Sequence, residues 1–319
     1  MTLDTDKLSR VETAVLTDGE MRASVLNYGA ITQEWLYKDR PLILGFNDLS
    51  AYFTDTSYTG AIVGRVANRI GGARFDLEGT GFELSANESE NTLHGGEKGL
   101  SSQFWDLKKL APNEVLLSYL SRDGESGFPG EVRFEVRISL QLPRLIYSFT
   151  ANPDRPTPIS LTQHNYYTLG SSYGVDAHRL KLASNRYLEI DHQGIPSGWV
   201  CSTTENELDF QESKSIGSIS AGIDHYFCFD QNRDPKAPVA VFSAPSGLAL
   251  TVYSDQPGAQ VYSRAKMAKP FRGSSGLCIE PSGYPNAPNI PSFPSIICTP
   301  ENPYRQVLAL EISEGWHEG

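Results

Sequence analysis

Apolar and polar residues alternate most regularly between Glu131 and Leu140. Val132, Phe134, Val136, Ile138 and Leu140 take one parity, and Glu131, Arg133, Glu135, Arg137 and Ser139 the other. A period of two puts the five apolar side chains on one face, so the run predicts an antiparallel strand with one buried side. Leu145, Tyr147 and Phe149 resume the pattern after Pro143-Arg144, which predicts a hairpin. Residues 238–243 and 248–253 flank Pro245-Ser246-Gly247 and predict a second one. Further strands are predicted at 115–120, closed by Arg122-Asp123-Gly124, at 306–312, and over 24–27 and 179–190. No segment carries apolar residues at helical spacing for three turns, and residues 48–54 suit a single turn. Residues 281–296 hold five prolines among Ser, Asn and Gly and predict a long irregular loop.

Many short strands with few helices predict an all-β sandwich or barrel. Neither a linker nor an internal repeat divides the sequence, so residues 1–319 are expected to form one large β domain. Its 14 Phe, 15 Tyr and 39% hydrophobic residues supply ample core. A net charge of −11 argues against nucleic acid and anionic membranes as partners. No apolar run approaches the ~18 residues that span a bilayer. The opening MTLDTDKLSR has no apolar stretch after its charges, so no secretory signal and a cytoplasmic location are expected. Cys201, Cys228, Cys278 and Cys298 lack any CxxC or zinc spacing and are expected to be reduced thiols, most of them buried.

Four segments could carry chemistry. In Asn91-Thr92-Leu93-His94-Gly95-Gly96 the glycines would let a ligand approach the imidazole, although a turn histidine has the same signature. Thr162-Gln163-His164-Asn165-Tyr166-Tyr167 sets hydrogen-bonding groups beside two rings, a combination suited to a sugar and equally to a capped strand end. Gly64-Arg65-Val66-Ala67-Asn68-Arg69-Ile70-Gly71-Gly72 could clamp hydroxyls or a carboxylate, or be a solvated turn. Glu280 lies among Leu277, Cys278, Ile279 and Pro281, where burial would raise its pKa toward that of a neutral-pH base; a paired strand-end glutamate is the plainer alternative. Asp224 precedes an aromatic run, and Gln260 and Tyr262 follow a Pro-Gly turn. His178, His192 and His317 have no supporting pattern and are expected at the surface.

Taken in order, these segments resemble the aldose 1-epimerase (galactose mutarotase) family. The resemblance runs from Leu26-Asn27-Tyr28-Gly29-Ala30 through Gly64 to Ile70, Leu93-His94-Gly95-Gly96 and Trp105. It continues through Asp123 to Gly130, Thr162-Gln163-His164, Ile223-Asp224-His225, Gln256-Pro257-Gly258 with Gln260 and Tyr262, and Glu280 with Pro285. It implies a large antiparallel β-sandwich with an open carbohydrate cleft. It implies an isomerase that interconverts the α and β anomers of a free aldose without cofactor or metal. Glu280 would be the base that takes the C1 hydroxyl proton and His164 the acid that protonates the ring oxygen. His94 would assist His164, and Asn68, Arg69, Asp224 and Gln260 would hold sugar hydroxyls. The expected partner is a small aldose, bound by a monomer or homodimer.

The sequence departs from the commonest family pattern at Gln163, Tyr167 and Thr168 and at Pro281, Ser282, Pro285 and Asn286. These changes flank the acid–base pair and bear on sugar preference. Two other readings stay open. A hexose-6-phosphate 1-epimerase would need additional cations near C6, and a non-catalytic sugar-binding or regulatory protein would not need His164 and Glu280 together.

Overall fold

The predicted strand from Glu131 forms over Val132–Gln141 and turns at Leu142-Pro143 into Arg144–Pro153, with Val136 opposite Phe149. The computed structural model of the chain describes residues 5–219, 221–263, 271 and 276–315. The hairpin sits inside a nine-stranded antiparallel sheet. Asp106–Ala111 and Glu114–Ser121 precede it, and Tyr304–Ser313, Ala249–Ser254, Ala240–Ser243, Arg179–Leu182 and Lys214–Ser215 follow it in space. The second predicted hairpin is present, with Ser243 opposite Ala249.

Register carries one apolar face across this sheet. Leu145 lies opposite Leu310, Leu310 opposite Val252, Val252 opposite Ala240 and Ala240 opposite Leu182. Directly opposed residues share a face, so these side chains form a continuous apolar surface. Two smaller antiparallel sheets cover it. Thr13–Asp18, Met21–Leu26, Thr32–Tyr37 and Arg40–Pro41 form one; Pro196–Ser202, Arg186–Ile190, Asp224–Cys228, Gly258–Tyr262 and Cys278–Ser282 form the other. Leu16, Val25 and Trp35 of the first and Phe227, Val261 and Ile279 of the second join the same buried cluster as Phe134 and Leu310. The layered sheets make a β-sandwich, as the alternation predicts. Truncating a fully buried ring such as Phe134 would cost roughly 3–5 kcal/mol.

Several expectations are corrected. The 179–190 stretch is two strands, Arg179–Leu182 and Arg186–Ile190, that belong to different sheets. A short α-helix, Thr5–Ser9, had no sequence signal, whereas the turn at 48–54 is a 3-10 helix over Leu49–Phe53. The loop expected at 281–296 begins as the end of a strand and contains a 3-10 turn at Ala287–Asn289. His178 is buried rather than exposed: its Nε2 meets the Thr168 carbonyl at 3.0 Å and its ring stacks on Phe242. His192 is exposed, and His317 lies outside the described residues. Arg65 is also buried. Its guanidinium donates to the carbonyls of Pro129, Ser121 and Arg122, so it ties loops together and is closed to a ligand. All four cysteines are free, with Cys228, Cys278 and Cys298 buried and Cys201 partly so. No helix among the described residues is long and apolar enough to cross a membrane.

Candidate functional site

Strand register places one wall of the site. Tyr226 lies opposite Gln260, and Gln260 opposite Glu280; two residues along, Asp224 lies opposite Tyr262, and Tyr262 opposite Cys278. Side chains two apart on a strand share a face, so Asp224, Gln260, Tyr262, Cys278 and Glu280 all project the same way. The intervening Phe227, Val261 and Ile279 enter the core. The core pattern therefore fixes the direction in which Glu280 points.

Loops supply the other wall. Thr162–Gln163 pairs with Ile62–Val63, and the backbone of His164 is held by the Ala61 carbonyl at 2.9 Å and the Gly60 N–H at 3.0 Å. Arg69–Ile70 pairs with Thr92–Leu93. Just before and after that ladder, the His94 N–H donates to the Asn68 carbonyl at 3.0 Å and the Asn68 N–H donates to His94 Nδ1 at 3.1 Å. Asn68 (φ 61°) and His94 (φ 51°) both adopt left-handed backbone, uncommon for residues with a Cβ and a mark of over-determined local structure. Gly95 is there for the chain itself: a Cβ on it would overlap the Gly64 carbonyl, so the close approach is backbone to backbone and not to a ligand.

His164 Nε2 and Glu280 Oε2 stand 3.6 Å apart, with side chains 6% and 5% exposed. The His94 ring meets the His164 ring edge-on, centroids 5.3 Å apart. Asn68 Nδ2 donates to Gln260 Oε1 at 3.0 Å, and Gln260 Nε2 donates to Asp224 Oδ1 at 2.7 Å. All seven residues expected at the site (Asn68, Arg69, His94, His164, Asp224, Gln260 and Glu280) line one open cavity of about 370 Å³. A second cavity of about 560 Å³ shares Asn68, Arg69, Glu88, Asp224 and Gln260 and continues past Asp191–Gly194.

From the 162–167 segment, His164 and Tyr166 reach the cavity. Gln163, Asn165 and Tyr167 turn inward: the Gln163 side chain accepts the Asn165 N–H at 3.0 Å, and Asn165 Nδ2 donates to the Tyr147 hydroxyl at 3.3 Å. Sequence reasoning missed Tyr58 and Glu88. Tyr58, at φ 54°, sets its ring 4.6 Å from that of His94 and 5.9 Å from that of His164. Glu88 receives Arg69 Nε–H and Nη2–H at 2.6 and 2.7 Å. Both lie on loops, where no hydrophobic period marks a residue; the polar run Asn87-Glu88-Ser89-Glu90-Asn91 is the nearest thing to a signal.

Burial governs the electrostatics. It holds the His164 imidazolium down at about 4. It pushes the Glu280 carboxyl up to about 8, with the Asp224 charge adding and Arg69 opposing. His94 is held well below its usual value by burial, then by His164 and Arg69. At neutral pH the His164–Glu280 pair therefore holds one proton, and burial favours its residence on Glu280. Burial also keeps the Cys278 thiol protonated, its sulfur 3.6 Å from His164 Nδ1.

One donor atom from each of His94, His164 and Glu280 falls within 4.8 Å of the others, a two-imidazole, one-carboxylate set of the kind that takes zinc. His94 Nδ1 is already engaged by Asn68, so a metal would compete for Nε2.

Known proteins resemble this chain in sequence and in fold. A galactose mutarotase of Rattus norvegicus is 32% identical over 95% of this chain and 94% of its own length. An aldose 1-epimerase of Escherichia coli is 31% identical over 81% of this chain and 80% of its own. The solved GalM/aldose epimerase homologue from C. elegans superposes with a TM-score of 0.90 at 25% identity, covering 95% of this chain and 99% of that one. The galactose 1-epimerase from Lactobacillus acidophilus, at 23% identity, shares the fold with a TM-score of 0.86 over 96% and 95% of the two chains. With the aldose 1-epimerase family model matching residues 12–311, the sandwich, the cleft and the sequence lead to one assignment: the chain belongs to the aldose 1-epimerase family.

Proposed function

We propose that the chain interconverts the α and β anomers of a free aldose by acid–base ring opening, with His164 and Glu280 as the proton-transferring pair. The observation that carries this is their 3.6 Å separation, buried at a cavity open to solvent, with one proton between them. One partner takes the proton of the C1 hydroxyl while the other gives a proton to the ring oxygen. The C1–O5 bond breaks and leaves an aldehyde, with the pair's proton moved from acid to base. Rotation about C1–C2 exposes the other carbonyl face. Closing the ring there returns both protons and restores the pair, so no external acid, base or cofactor is consumed.

The family resemblance implies that Glu280 is the base and His164 the acid. Burial by itself favours the opposite tautomer, with the proton on Glu280. The two forms differ by one proton transfer across the pair. A sugar hydroxyl donating to the Glu280 carboxylate would favour its charged form and move that proton to His164. Asn68, Asp224 and Gln260, already hydrogen-bonded in series, are placed to read hydroxyls, and the rings of Tyr58 and Tyr166 offer faces for sugar C–H groups. The His94 Nε2–H supplies a further neutral donor near the pair.

A pure sugar binder would have no use for a buried acid–base pair. Four free thiols support a reducing, cytoplasmic setting. Polarimetry of freshly dissolved α-D-glucose and α-D-galactose tests the reading. Wild type is expected to speed the drift in rotation far above the buffer rate, and His164→Ala and Glu280→Ala to lose roughly 10²–10⁴-fold each. A wild type no faster than buffer on either sugar would overturn it.

A further inference from the structure

An ion pair neutralises the cleft's cation. Arg69 is the one lysine or arginine among the described residues that lines either cavity. Its Nε–H and Nη2–H both go to the Glu88 carboxylate, at 2.6 and 2.7 Å, in a bidentate fork. The backbone of Gly194 lies against the other side: a Cβ there would sit 3.2 Å from the guanidinium Cζ and Nη1. Gly194 belongs to a tight turn in which Asp191 accepts the N–H groups of Gln193 and Ile195 at 2.8 and 3.0 Å. Arg69 is thus held between a carboxylate and a turn that brings Asp191 into the outer cavity, with Asp224 lining both cavities as well. An arginine that binds an anionic ligand presents its planar fork to that ligand. Here one such fork is filled from within the protein.

We propose that this cleft selects substrates by charge, admitting neutral aldoses and turning away those that carry a carboxylate or phosphate, with Glu88 as the specificity-determining residue. This rests on the epimerase reading above and names which free aldoses the site takes. Glu88 acts in two ways. It occupies the Nε/Nη2 edge of the guanidinium, one of the two forks an anion could use. Its charge also cancels that of Arg69, which leaves the Asp191 and Asp224 carboxylates to set the field where the two cavities meet. Repulsion between like charges closer than a Debye length, about 8 Å at physiological salt, is large enough to change relative rates severalfold.

The test separates charge from shape. D-galactose, D-galacturonate and D-galacturonamide are followed by polarimetry with wild type and Glu88→Gln, at low and high salt. The amide and the carboxylate have nearly the same shape and differ in charge. In wild type, kcat/KM for the uronate is expected at least about tenfold below that for the amide, and added salt should narrow the gap. Glu88→Gln is expected to shrink the gap roughly three- to tenfold, whatever it does to the absolute rates. Equal wild-type rates on amide and uronate would overturn the charge selection. A gap unchanged in Glu88→Gln would remove Glu88 as its source. If galactose and the amide are also turned over no faster than in buffer, the epimerase reading itself fails, a result distinct from both.

Discussion

The Nδ1 of His94 accepts the backbone N–H of Asn68 at 3.1 Å, so the neutral imidazole must carry its hydrogen on Nε2. The same two residues exchange a second hydrogen bond, from the His94 N–H to the Asn68 carbonyl. A tautomer set by backbone does not depend on the bound sugar, and it leaves Nε2 as a donor on a ring whose centroid is 5.3 Å from that of His164. His94→Ala is expected to lower kcat roughly 10²-fold. His94→Gln, which can place an amide N–H near the old Nε2, should recover part of that loss. Equal losses in the two variants would refute the donor role.

The pH–rate profile should be a broad bell. Below about 4, His164 and Glu280 are both protonated and no base remains; above about 8, both have lost the proton and no acid remains. Between these limits the pair holds one proton, whichever side chain carries it. The limbs belong to the pair, and kcat/KM for galactose measured from pH 3.5 to 9.5 reports them. A profile that falls as pH drops through 6.5 would show an ordinary, solvated histidine.

Glu280→Gln should make the protein inactive and more stable. The folded pKa is raised, so the native state's advantage from binding this proton is full below about 4.5 and is lost as pH rises through about 8. Glutamine has no proton to lose. The gain in melting temperature over wild type should grow from pH 4.5 to 8 and level off above, reflecting on the order of 2–4 kcal/mol. A gain that does not vary with pH would contradict this account of the burial.

Zinc should inhibit. The donor atoms of His94, His164 and Glu280 are close enough to share an ion, and an ion would displace the proton held by the His164–Glu280 pair. Inhibition should tighten from pH 6 to 8 as the metal competes with fewer protons, and EDTA should restore full activity. Metal-stripped protein that is inactive until zinc is added would reverse this expectation.

Fold and site were legible to different depths. The Val132–Gln141 hairpin announced itself because a strand with one wet side must alternate. His94, His164 and Glu280 stood out by their neighbours: glycines, aromatic rings and an apolar run. His178 did not, because what buries it is Phe242, a residue from a distant strand. Arg65 and Arg69 looked alike four residues apart. One is held by loop carbonyls and the other faces the cleft, a difference that lies in partners some twenty to sixty positions away. Tyr58 and Glu88 were invisible for the same reason, since their roles come from loop paths and not from periodicity.

The shared strand register of Gln260 and Glu280 has a practical consequence. A slip of one residue in Cys278–Ser282 would exchange Glu280 for Ile279 or Pro281, draw the carboxylate into the core and push a greasy residue into the cleft. Mispaired molecules would be catalytically dead as well as unstable. Specific activity in a preparation then counts correctly paired strands, and an anomer-equilibration assay becomes a quality test for folding.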